Sequence, residues 1–379
     1  MIYTLIILGF TLGYILLISW YYKVWNCIED NSNLSFNSKF FVSVVIPARN
    51  ESEHIQKTIQ SILNQSYPST LFEIIVVDDH SEDNTSILVA DMNKDNVQLV
   101  SMKDIPLQPG EVAYKKRSIE EGVKVAKGEI IVTTDADCTH HKDWLKTIVS
   151  SFEHKKVNMI SGPVLFNYEN NWFQKFQALD FLGMIGITAS SIKLGMFNLA
   201  NGANLAYRKS VFNQVGGFAG IDKKASGDDM LLIYKFAQVD ASKVVFLKSN
   251  KAIVYTDCAK NLNEFIQQRL RWTSKSFEYQ DKRITYILAF VYLVNVLLFT
   301  SLLLALLKMN AYFALLFFAQ FTAMSLVDFI FLKKVSEYFD RNKLLKAFVP
   351  SQFIHVVYIL IIGLLGNIIP YQWKGRNLK

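Results

Sequence analysis

Cysteine is scarce in this sequence and forms no recognisable pair. Cys27, Cys138 and Cys258 are far apart and show no CxxC spacing, so the sequence predicts neither a zinc site nor a disulfide framework. Long runs of lysine and arginine are also absent, although the formal net charge is +7. Basic residues scattered in this way indicate affinity for anionic membrane surfaces and phosphate groups, not for nucleic acid.

Two common nucleotide-binding motifs are missing as well. No GxGxxG follows the first predicted strand, which argues against a dinucleotide-dependent oxidoreductase, and no GxxxxGK(S/T) is present to form a P-loop. A nucleotide would have to be held by another arrangement of the chain.

Long apolar runs are present at both ends of the sequence. Residues 2–22 carry no charge and are long enough to cross a hydrocarbon core of about 30 Å. A cleaved signal peptide is the alternative, but the segment has no basic start and no small-x-small cleavage site. The runs 284–307, 311–332 and 348–369 predict three further membrane segments, and Asp328 is expected to face protein or to lie near the interface.

Lysine and arginine predict the orientation of an integral protein in a bacterial inner membrane. The region 23–283 and the loop 333–346 are basic, so both are expected on the cytoplasmic side. Three complete crossings would then place the basic tail, 371–379, on the opposite side. Either the last segment, which contains a proline and two glycines, is re-entrant, or the charge rule fails at this tail.

Strand-like and helix-like stretches alternate between the membrane segments. Apolar runs start near 41, 72, 97 and 128, and helical patterns follow the first three of them. This alternation predicts an α/β domain with a mostly parallel sheet between helices. Ligands of such sheets bind at the carboxyl ends of the strands, which is where the polar clusters PARNE, DDHS and DAD fall.

Asp135 and Asp137 end one of these strands with a single residue between them. Their side chains share one face and can present oxygens to a hard cation. Mg²⁺ and Mn²⁺ prefer carboxylates combined with substrate phosphate oxygens, so the pair predicts a divalent-metal site. Two such aspartates alone more often form a solvated turn, and the interpretation therefore depends on the other clusters.

Charged residues near this pair fit a diphosphate and a nucleoside. Lys115 and Lys116 can reach diphosphate oxygens, although a solvated helix face is the simpler reading of two lysines. Asp78 or Asp79 can accept a hydrogen bond from a base N–H or a ribose hydroxyl.

Asp228 and Asp229 follow Gly227 at the start of an amphipathic stretch. Acidic residues at a helix start also complement the helix dipole. In the functional interpretation, Asp229 is a general base that removes a proton from an acceptor hydroxyl.

Gln268, Arg271 and Trp272 lie at i, i+3 and i+4 and share one face of a predicted helix. The tryptophan can stack on a sugar or a base, and the arginine can bind phosphate. The stretches 172–195 and 261–280 also predict interfacial helices.

In order and spacing, VSVVIPARNE, IIVVDDHSEDNT, TTDADC, GDD and QRLRW resemble the inverting family 2 glycosyltransferases of GT-A fold, over about residues 41–280. The resemblance implies a nucleotide-sugar donor, a UDP-sugar foremost, and a metal held with the diphosphate by Asp135 and Asp137. It also makes Asp229 the base, with Asp228 as a partner or substitute, because the family more often has a glutamate there. The nucleotide would be held by Pro47, Ala48, Asn50, Glu51, Asp78 and Asp79, and the site would be closed by Gln268, Arg271 and Trp272.

The acceptor is the open question in this resemblance. The tail W-K-G-R at 373–376 is similar to that of glycosyltransferases acting on lipids, ceramide and carotenoids, and favours a lipid or lipid-linked acceptor. A processive polysaccharide synthase is the alternative, although four membrane segments are few for a channel. A catalytically inactive membrane scaffold would be expected to have a broken motif, and none is broken.

The predicted organisation is an anchor at 1–23, a cytoplasmic GT-A domain at 40–280, a membrane region at 284–370 and the tail at 371–379.

Overall fold

The computed structural model describes residues 1–32, 36, 40–103, 105, 113–169, 171–197, 199–222, 227–274, 279, 281–366, 368–374 and 376–378. The chain divides into two compact units. The helical unit comprises Met1–Ile28, Tyr168–Met196 and Cys258–Tyr371. The sheet unit comprises Glu29–Asn167, Phe197–Asp257 and Gln372–Lys379.

In chain order the α-helices are α1 (Ile2–Asn26), α2 (Ile55–Leu63), α3 (Thr85–Ala90), α4 (Tyr114–Val125), α5 (Trp144–Lys155), α6 (Trp172–Lys193), α7 (Lys209–Gln214), α8 (Asp228–Asp240), α9 (Leu262–Thr273), α10 (Lys282–Lys308), α11 (Ala311–Tyr338) and α12 (Phe348–Leu365). The strands are β1 (Val42–Ala48), β2 (Phe72–Asp78), β3 (Val97–Ser101), β4 (Ile130–Thr133), β5 (Thr139–His140), β6 (Met159–Ser161), β7 (Val164–Asn167), β8 (Leu205–Arg208), β9 (Val244–Phe246), β10 (Val254–Asp257), β11 (Tyr371–Trp373) and β12 (Arg376–Leu378).

Seven strands form the main sheet of the sheet unit, in the order β3-β2-β1-β4-β8-β6-β9. The first four run parallel, β8 is antiparallel to both of its neighbours, and β9 is parallel to β6. Strand β2 is buried along its whole length, as expected of a strand whose two faces are both covered. The predicted α/β class with a mostly parallel sheet is therefore confirmed.

Helix α4 lies against β1 and β2 through a glycine. A Cβ on Gly122 would come within 2.5 Å of Val45 Cγ1 and 3.1 Å of Val77 Cγ2, so a larger residue would push the helix away from the sheet. The first turn of α4 carries Lys115 and Lys116. This close packing helps to fix the two lysines beside the carboxyl ends of the parallel strands.

A second, three-stranded sheet supports the start of β8. In it, β10 lies between β5 and β7. The buried Asn204, just before β8, donates from Nδ2 to the carbonyls of Pro163 and Ala252, each at 2.8 Å. Its Oδ1 accepts from Trp144 Nε1 at 2.9 Å. These bonds fix the backbone next to residue 202, which belongs to the site described below.

Among the residues that the structure describes, four helical segments are long and apolar enough to span a membrane: Ile2–Asn26, Lys282–Lys308, Ala311–Tyr338 and Asn342–Leu365. The prediction of one such segment at the start of the chain and three after residue 283 is confirmed. The predicted interfacial stretches form α6 and α9, which also belong to the helical unit.

Charged residues inside the helical unit are paired with one another. Asp180 Oδ2 lies 2.9 Å from Arg269 Nη2, and Asp180 Oδ1 lies 3.2 Å from His355 Nδ1. Arg269 is 1% exposed and its guanidinium lies 4.4 Å from the ring centroid of Trp272. Asp328 accepts from Tyr14 Oη at 2.8 Å and from Gln352 Nε2 at 3.3 Å, so it faces protein, as expected for an aspartate in an apolar segment.

Candidate active site

The loops after β1 and β2 are joined by backbone and side-chain hydrogen bonds. The amide of Asp79 donates to the carbonyl of Ala48 at 2.8 Å, and Arg49 Nη1 donates to the carbonyls of Asp79 and His80 at 3.0 and 2.6 Å. Asn50, at a φ of 51°, donates from its amide to Ser81 Oγ. The first two predicted clusters therefore form one connected edge, in which Pro47 and Ala48 lie beside Val77 and Asp78.

Asp78 is a buried carboxylate without a partner at this edge. The residue is fully buried, and neither carboxylate oxygen accepts a hydrogen bond within the described residues. Leaving a buried acceptor unsatisfied costs about 1–3 kcal/mol, and more for a charged group. Such a group fits a ligand that brings its own donor, which agrees with the predicted role of Asp78 or Asp79 toward a nucleoside.

Lys115 connects the end of β4 to the start of α8. Its Nζ lies 2.7 Å from Asp135 Oδ1 and 3.4 Å from Asp228 Oδ2. Burial opposes the charged form, but Asp135, Asp228 and Asp229 together raise the pKa of Lys115 above its ordinary value. Lys116 has a different environment, since it is buried and donates to the carbonyl of Ile221 at 2.6 Å. Of the two predicted phosphate-binding lysines, Lys115 is the one in contact with Asp135.

Glu51 and Asp137 are two further carboxylates of this region. Burial raises the pKa of Glu51 to about 7, against the effect of Lys374, whose Nζ lies 2.8 Å from Glu51 Oε1. Loss of hydration and then the like charge of Asp135 raise the pKa of Asp137. In both cases burial is the largest cause of the shift, and the neighbouring aspartates add to it.

The GDD triplet owes its geometry to its glycine. Gly227 has a φ of 81° and precedes α8, so Asp228 and Asp229 occupy the first turn of that helix. A residue with a Cβ would be strained at this φ. Asp229 Oδ2 accepts from the amide of Gly202 at 3.2 Å. A Cβ on Gly202 would lie 3.0 Å from Asp228 Oδ2, which explains the need for glycine at this contact.

The carboxylates of Glu51, Asp135, Asp137, Asp228 and Asp229, which we call the carboxylate cluster, fit a divalent cation that arrives with phosphate. Lys115 contacts Asp135 and Asp228, and Lys374 contacts Glu51. Within the described residues, no group of three or more His, Cys, Asp or Glu side chains is arranged to hold a metal alone. Mg²⁺ and Mn²⁺ commonly use one or two carboxylates and complete their shell with phosphate and water, and Asp135 and Asp137 fit that mode.

Comparison with known proteins identifies the family of this region. Residues 43–226 match the sequence profile described as Glycosyl transferase family 2. These residues are a family 2 glycosyltransferase domain. The first part of the carboxylate cluster, from Glu51 to Asp137, lies inside this domain.

Curated relatives agree with the family but match only part of the chain. Glycosyltransferase AglE of Haloferax volcanii is 31% identical over 47% of this chain and 56% of its own length. The poly-beta-1,6-N-acetyl-D-glucosamine synthase of Staphylococcus epidermidis is 25% identical over 62% and 55%, respectively. The beta-monoglucosyldiacylglycerol synthase of Trichormus variabilis is 25% identical over 52% and 41%. The matches thus span about half the length of these relatives.

A solved structure is similar over nearly the whole chain. The mannosyltransferase PcManGT from Pyrobaculum calidifontis, in complex with GDP-Man and Mn²⁺, gives a TM-score of 0.60 at 18% identity, over 93% of this chain and 98% of that one. At this identity the similarity shows the fold alone, and that fold is the GT-A fold expected from the sequence.

The residues predicted to close the site are Gln268, Arg271 and Trp272 of the QRLRW motif. They lie outside the glycosyltransferase domain, on α9 of the helical unit. The ring of Trp272 lies 5.5 Å from that of Phe181, and Gln268 Oε1 is buried without a hydrogen-bond partner among the described residues. The fully buried arginine of this helix is Arg269, two positions before Arg271.

Four residues of the two units were not singled out from the sequence. Arg49 lies inside the quoted motif PARNE, so the motif indicated the region but not the role of this residue, and Gly202 lies in none of the quoted motifs. Lys374 lies in the W-K-G-R tail, and no spacing rule relates it to Glu51, which is hundreds of residues earlier. Arg269 occupies a variable position of QxxRW, where only its burial reveals its partner Asp180.

Proposed function

We propose that this protein is a membrane-bound inverting glycosyltransferase that transfers a sugar from a nucleotide-diphosphate sugar to a lipid acceptor. The observation that carries the proposal is the carboxylate cluster at the carboxyl ends of the strands, with Lys115 between Asp135 and Asp228 at 2.7 and 3.4 Å. The carboxylates, together with the lysine between two of them, suit a metal-bound diphosphate and one general base.

In the proposed reaction, the acceptor hydroxyl attacks the anomeric carbon while the bond from that carbon to the diphosphate oxygen breaks. Asp229 takes the proton of the attacking hydroxyl. The Gly202 amide, which donates to Asp229 Oδ2 at 3.2 Å, holds this carboxylate in place. Bound by Asp135 and Asp137, a divalent metal would offset negative charge on the departing diphosphate. Lys115 adds a fixed positive charge beside the same leaving group.

The nucleoside of the donor is proposed to bind at Asp78 and Asp79. Asp78 accepts no hydrogen bond within the described residues, and a base N–H or ribose hydroxyl would satisfy it. Because Asp78 lies in register with Ala48 of β1, the ends of these two strands would form the floor of the nucleotide site, with Asn50 and Glu51 beside it.

A cavity inside the helical unit supports a lipid acceptor. It has a volume of about 130 Å³, and its walls are mostly apolar. Its polar or charged lining residues include Asp180, Asp328, Gln352 and His355. An apolar cavity with a few convergent polar groups suits one end of an amphiphile. The relative that makes a glucosyl lipid in Trichormus variabilis points the same way.

A processive polysaccharide synthase of the same family is the second candidate. The specific observation in its favour is the 25% identity to the poly-N-acetylglucosamine synthase over 62% of this chain. Four candidate spans are few for a polymer channel, and we therefore favour the lipid acceptor.

The decisive experiment incubates detergent-purified protein with radiolabelled nucleotide sugars, Mg²⁺ and Mn²⁺, and a total lipid extract, and then partitions the products between chloroform-methanol and water. Label in the organic phase that depends on protein supports the lipid acceptor and identifies the donor. Label confined to high-molecular-weight aqueous material supports the polysaccharide synthase. Absence of metal-dependent label with every donor would contradict the enzymatic proposal and favour an inactive scaffold.

A further inference from the structure

The tail of the chain reaches the carboxylate cluster. Strands β11 and β12 form a two-stranded sheet, and Lys374 lies in the turn between them at a φ of 47°. Its Nζ is 2.8 Å from Glu51 Oε1. Few non-glycine residues adopt such a φ, so the hairpin holds Lys374 in a specific conformation at its tip.

Two further carboxylates act on Glu51 of this ion pair. Asp135 and Asp137 both act on Glu51 electrostatically, and the side chains of Lys374 and Glu51 are 33% and 10% exposed. The lysine ammonium has three donors, and Glu51 is its one ion-pair partner within the part of the chain that the structure describes. Two N–H groups therefore remain available to an anion that enters beside the cluster.

We propose that Lys374 is a donor-binding residue, which contacts the diphosphate of the nucleotide sugar, and that the C-terminal hairpin lies on the same side of the membrane as the glycosyltransferase domain. The donor-binding role of Lys374 rests on the proposed function, and the position of the hairpin does not. Lys115 and Lys374 would then bind the same diphosphate from two separate elements, α4 and the hairpin. Charge-assisted hydrogen bonds to phosphate oxygens are roughly twice as strong as neutral ones.

Chain topology supports the position of the hairpin. Along the chain, α10, α11 and α12 come between the main part of the sheet unit and Lys374. Lys374 itself belongs to the sheet unit again. Three complete crossings would end on the opposite side, so one of the three does not cross completely. Helix α12 is the one that fits, because it has 18 residues where α10 and α11 have 27 and 28, and because it contains Pro350 and Gly363. The re-entrant alternative for the last segment is thereby favoured.

The position of the tail can be tested without any assumption about activity. In full-length protein carrying Cys27→Ser, a cysteine is introduced either by Leu378→Cys in β12 or by Lys127→Cys in the sheet unit, where the lysine side chain is 77% exposed. Right-side-out and inverted vesicles are treated with a membrane-impermeant maleimide. We expect both cysteines to react in the same vesicle type. Reaction of the two cysteines in opposite vesicle types would overturn the placement of the hairpin.

Diphosphate binding is tested with Lys374→Gln, Lys374→Arg and the charge-matched control Lys127→Gln. Lys127 precedes β4, at the opposite ends of the strands from the cluster. UDP and GDP, and separately uridine and guanosine, are titrated calorimetrically in the presence of Mn²⁺. We expect Lys374→Gln to weaken binding of the nucleoside diphosphate about tenfold, with no change for the nucleoside, while Lys374→Arg retains most of the affinity and Lys127→Gln all of it.

Equal or tighter diphosphate binding in Lys374→Gln would overturn the role of Lys374 and leave a structural ion pair with Glu51. A comparison of thermal unfolding midpoints shows whether Lys374→Gln remains folded, and Lys374→Arg keeps the test valid if it does not. A wild-type protein that binds neither diphosphate would overturn the proposed function together with the role of Lys374, whereas the labelling experiment would still decide where the tail lies.

Discussion

The two units of this protein treat buried charge in opposite ways. In the helical unit, Asp180 is paired with Arg269 at 2.9 Å and with His355 at 3.2 Å. In the sheet unit, five carboxylates gather at the ends of the strands, where Lys115 contacts Asp135 and Asp228 and Lys374 contacts Glu51. One cluster is balanced by its own residues, and the other brings like charges together.

This difference separates a structural role from a role in binding. Removing one partner of a balanced buried pair leaves an uncompensated charge, which mainly lowers stability. Carboxylates held close together repel one another without a ligand, and a cation or a metal-bound phosphate relieves that repulsion. Strongly perturbed groups that gather at one edge of a sheet are candidates for function for this reason.

The largest expected effect is loss of the cation from the carboxylate cluster. We expect EDTA to lower the rate of sugar transfer about 1,000-fold or more, because the metal stabilises leaving-group charge by several kcal/mol. Mg²⁺ or Mn²⁺ should restore the rate, and Asp135→Asn should require more metal for the same recovery. The measurement is initial rate against free metal concentration. Full turnover in EDTA would show that the cluster works without a metal.

Removal of the proposed base should have the next largest effect. We expect Asp229→Asn to reduce kcat by about 10² to 10⁴ and to leave the donor Kd unchanged, since the side chain stays isosteric. Asp240→Asn, at the other end of α8, is the matched control and should retain full activity. Undiminished turnover in Asp229→Asn, combined with loss in Asp228→Asn, would transfer the role of base to Asp228.

The balanced cluster is tested by two arginines on one helix. We expect Arg269→Met to lower the free energy of unfolding by about 3–5 kcal/mol, because Asp180 would remain buried without its main partner. Arg271→Met should change stability by at most about 0.5 kcal/mol, because Arg271 has no ion-pair partner in the described residues. The measurement is thermal unfolding of both variants in the same detergent, which compares their stabilities. Equal losses of stability in the two variants would contradict the distinction between Arg269 and Arg271. A lower transfer rate in Arg271→Met would support the proposed place of Arg271 in the site.

The smallest effect concerns a buried group that carries no charge. Burial lowers the pKa of His140 to about 3, and its ring nitrogens lie 2.8 Å from Ser61 Oγ and Thr134 Oγ1. The unfolded chain takes up this proton near pH 6.5, so stability falls as the pH decreases from about 6.5 to about 3. The loss should reach roughly 2 kcal/mol by pH 5.

His140→Gln should remove most of this decrease, and His54→Gln, in which the replaced side chain is 33% exposed, should retain it. The measurement is the thermal unfolding midpoint of the wild type and both variants at pH 7 and at pH 5. A wild-type midpoint that does not fall between these pH values would contradict the neutral, buried state of His140.

Several local features of the fold could be predicted because neighbouring residues determine them. Strand β3 starts at Val97, where an apolar run was predicted to start, and α4 follows it over Tyr114–Val125, as the alternation of strand and helix predicted. The aspartates of β2 and β4 lie at strand ends because apolar periodicity stops there. Gly227 similarly sets the start of α8 through its own φ. These are consequences of sequence spacing within one element.

The sequence by itself thus determined the class of fold, the membrane segments and the residues gathered at the strand ends. Only the tertiary structure decided which charges meet: Lys115 with Asp228, Arg269 with Asp180, and Lys374 with Glu51. Spacing along the chain fixes the face of a strand or helix on which a residue lies. Pairing between distant segments depends instead on how whole elements pack, and that packing is a property of the complete core.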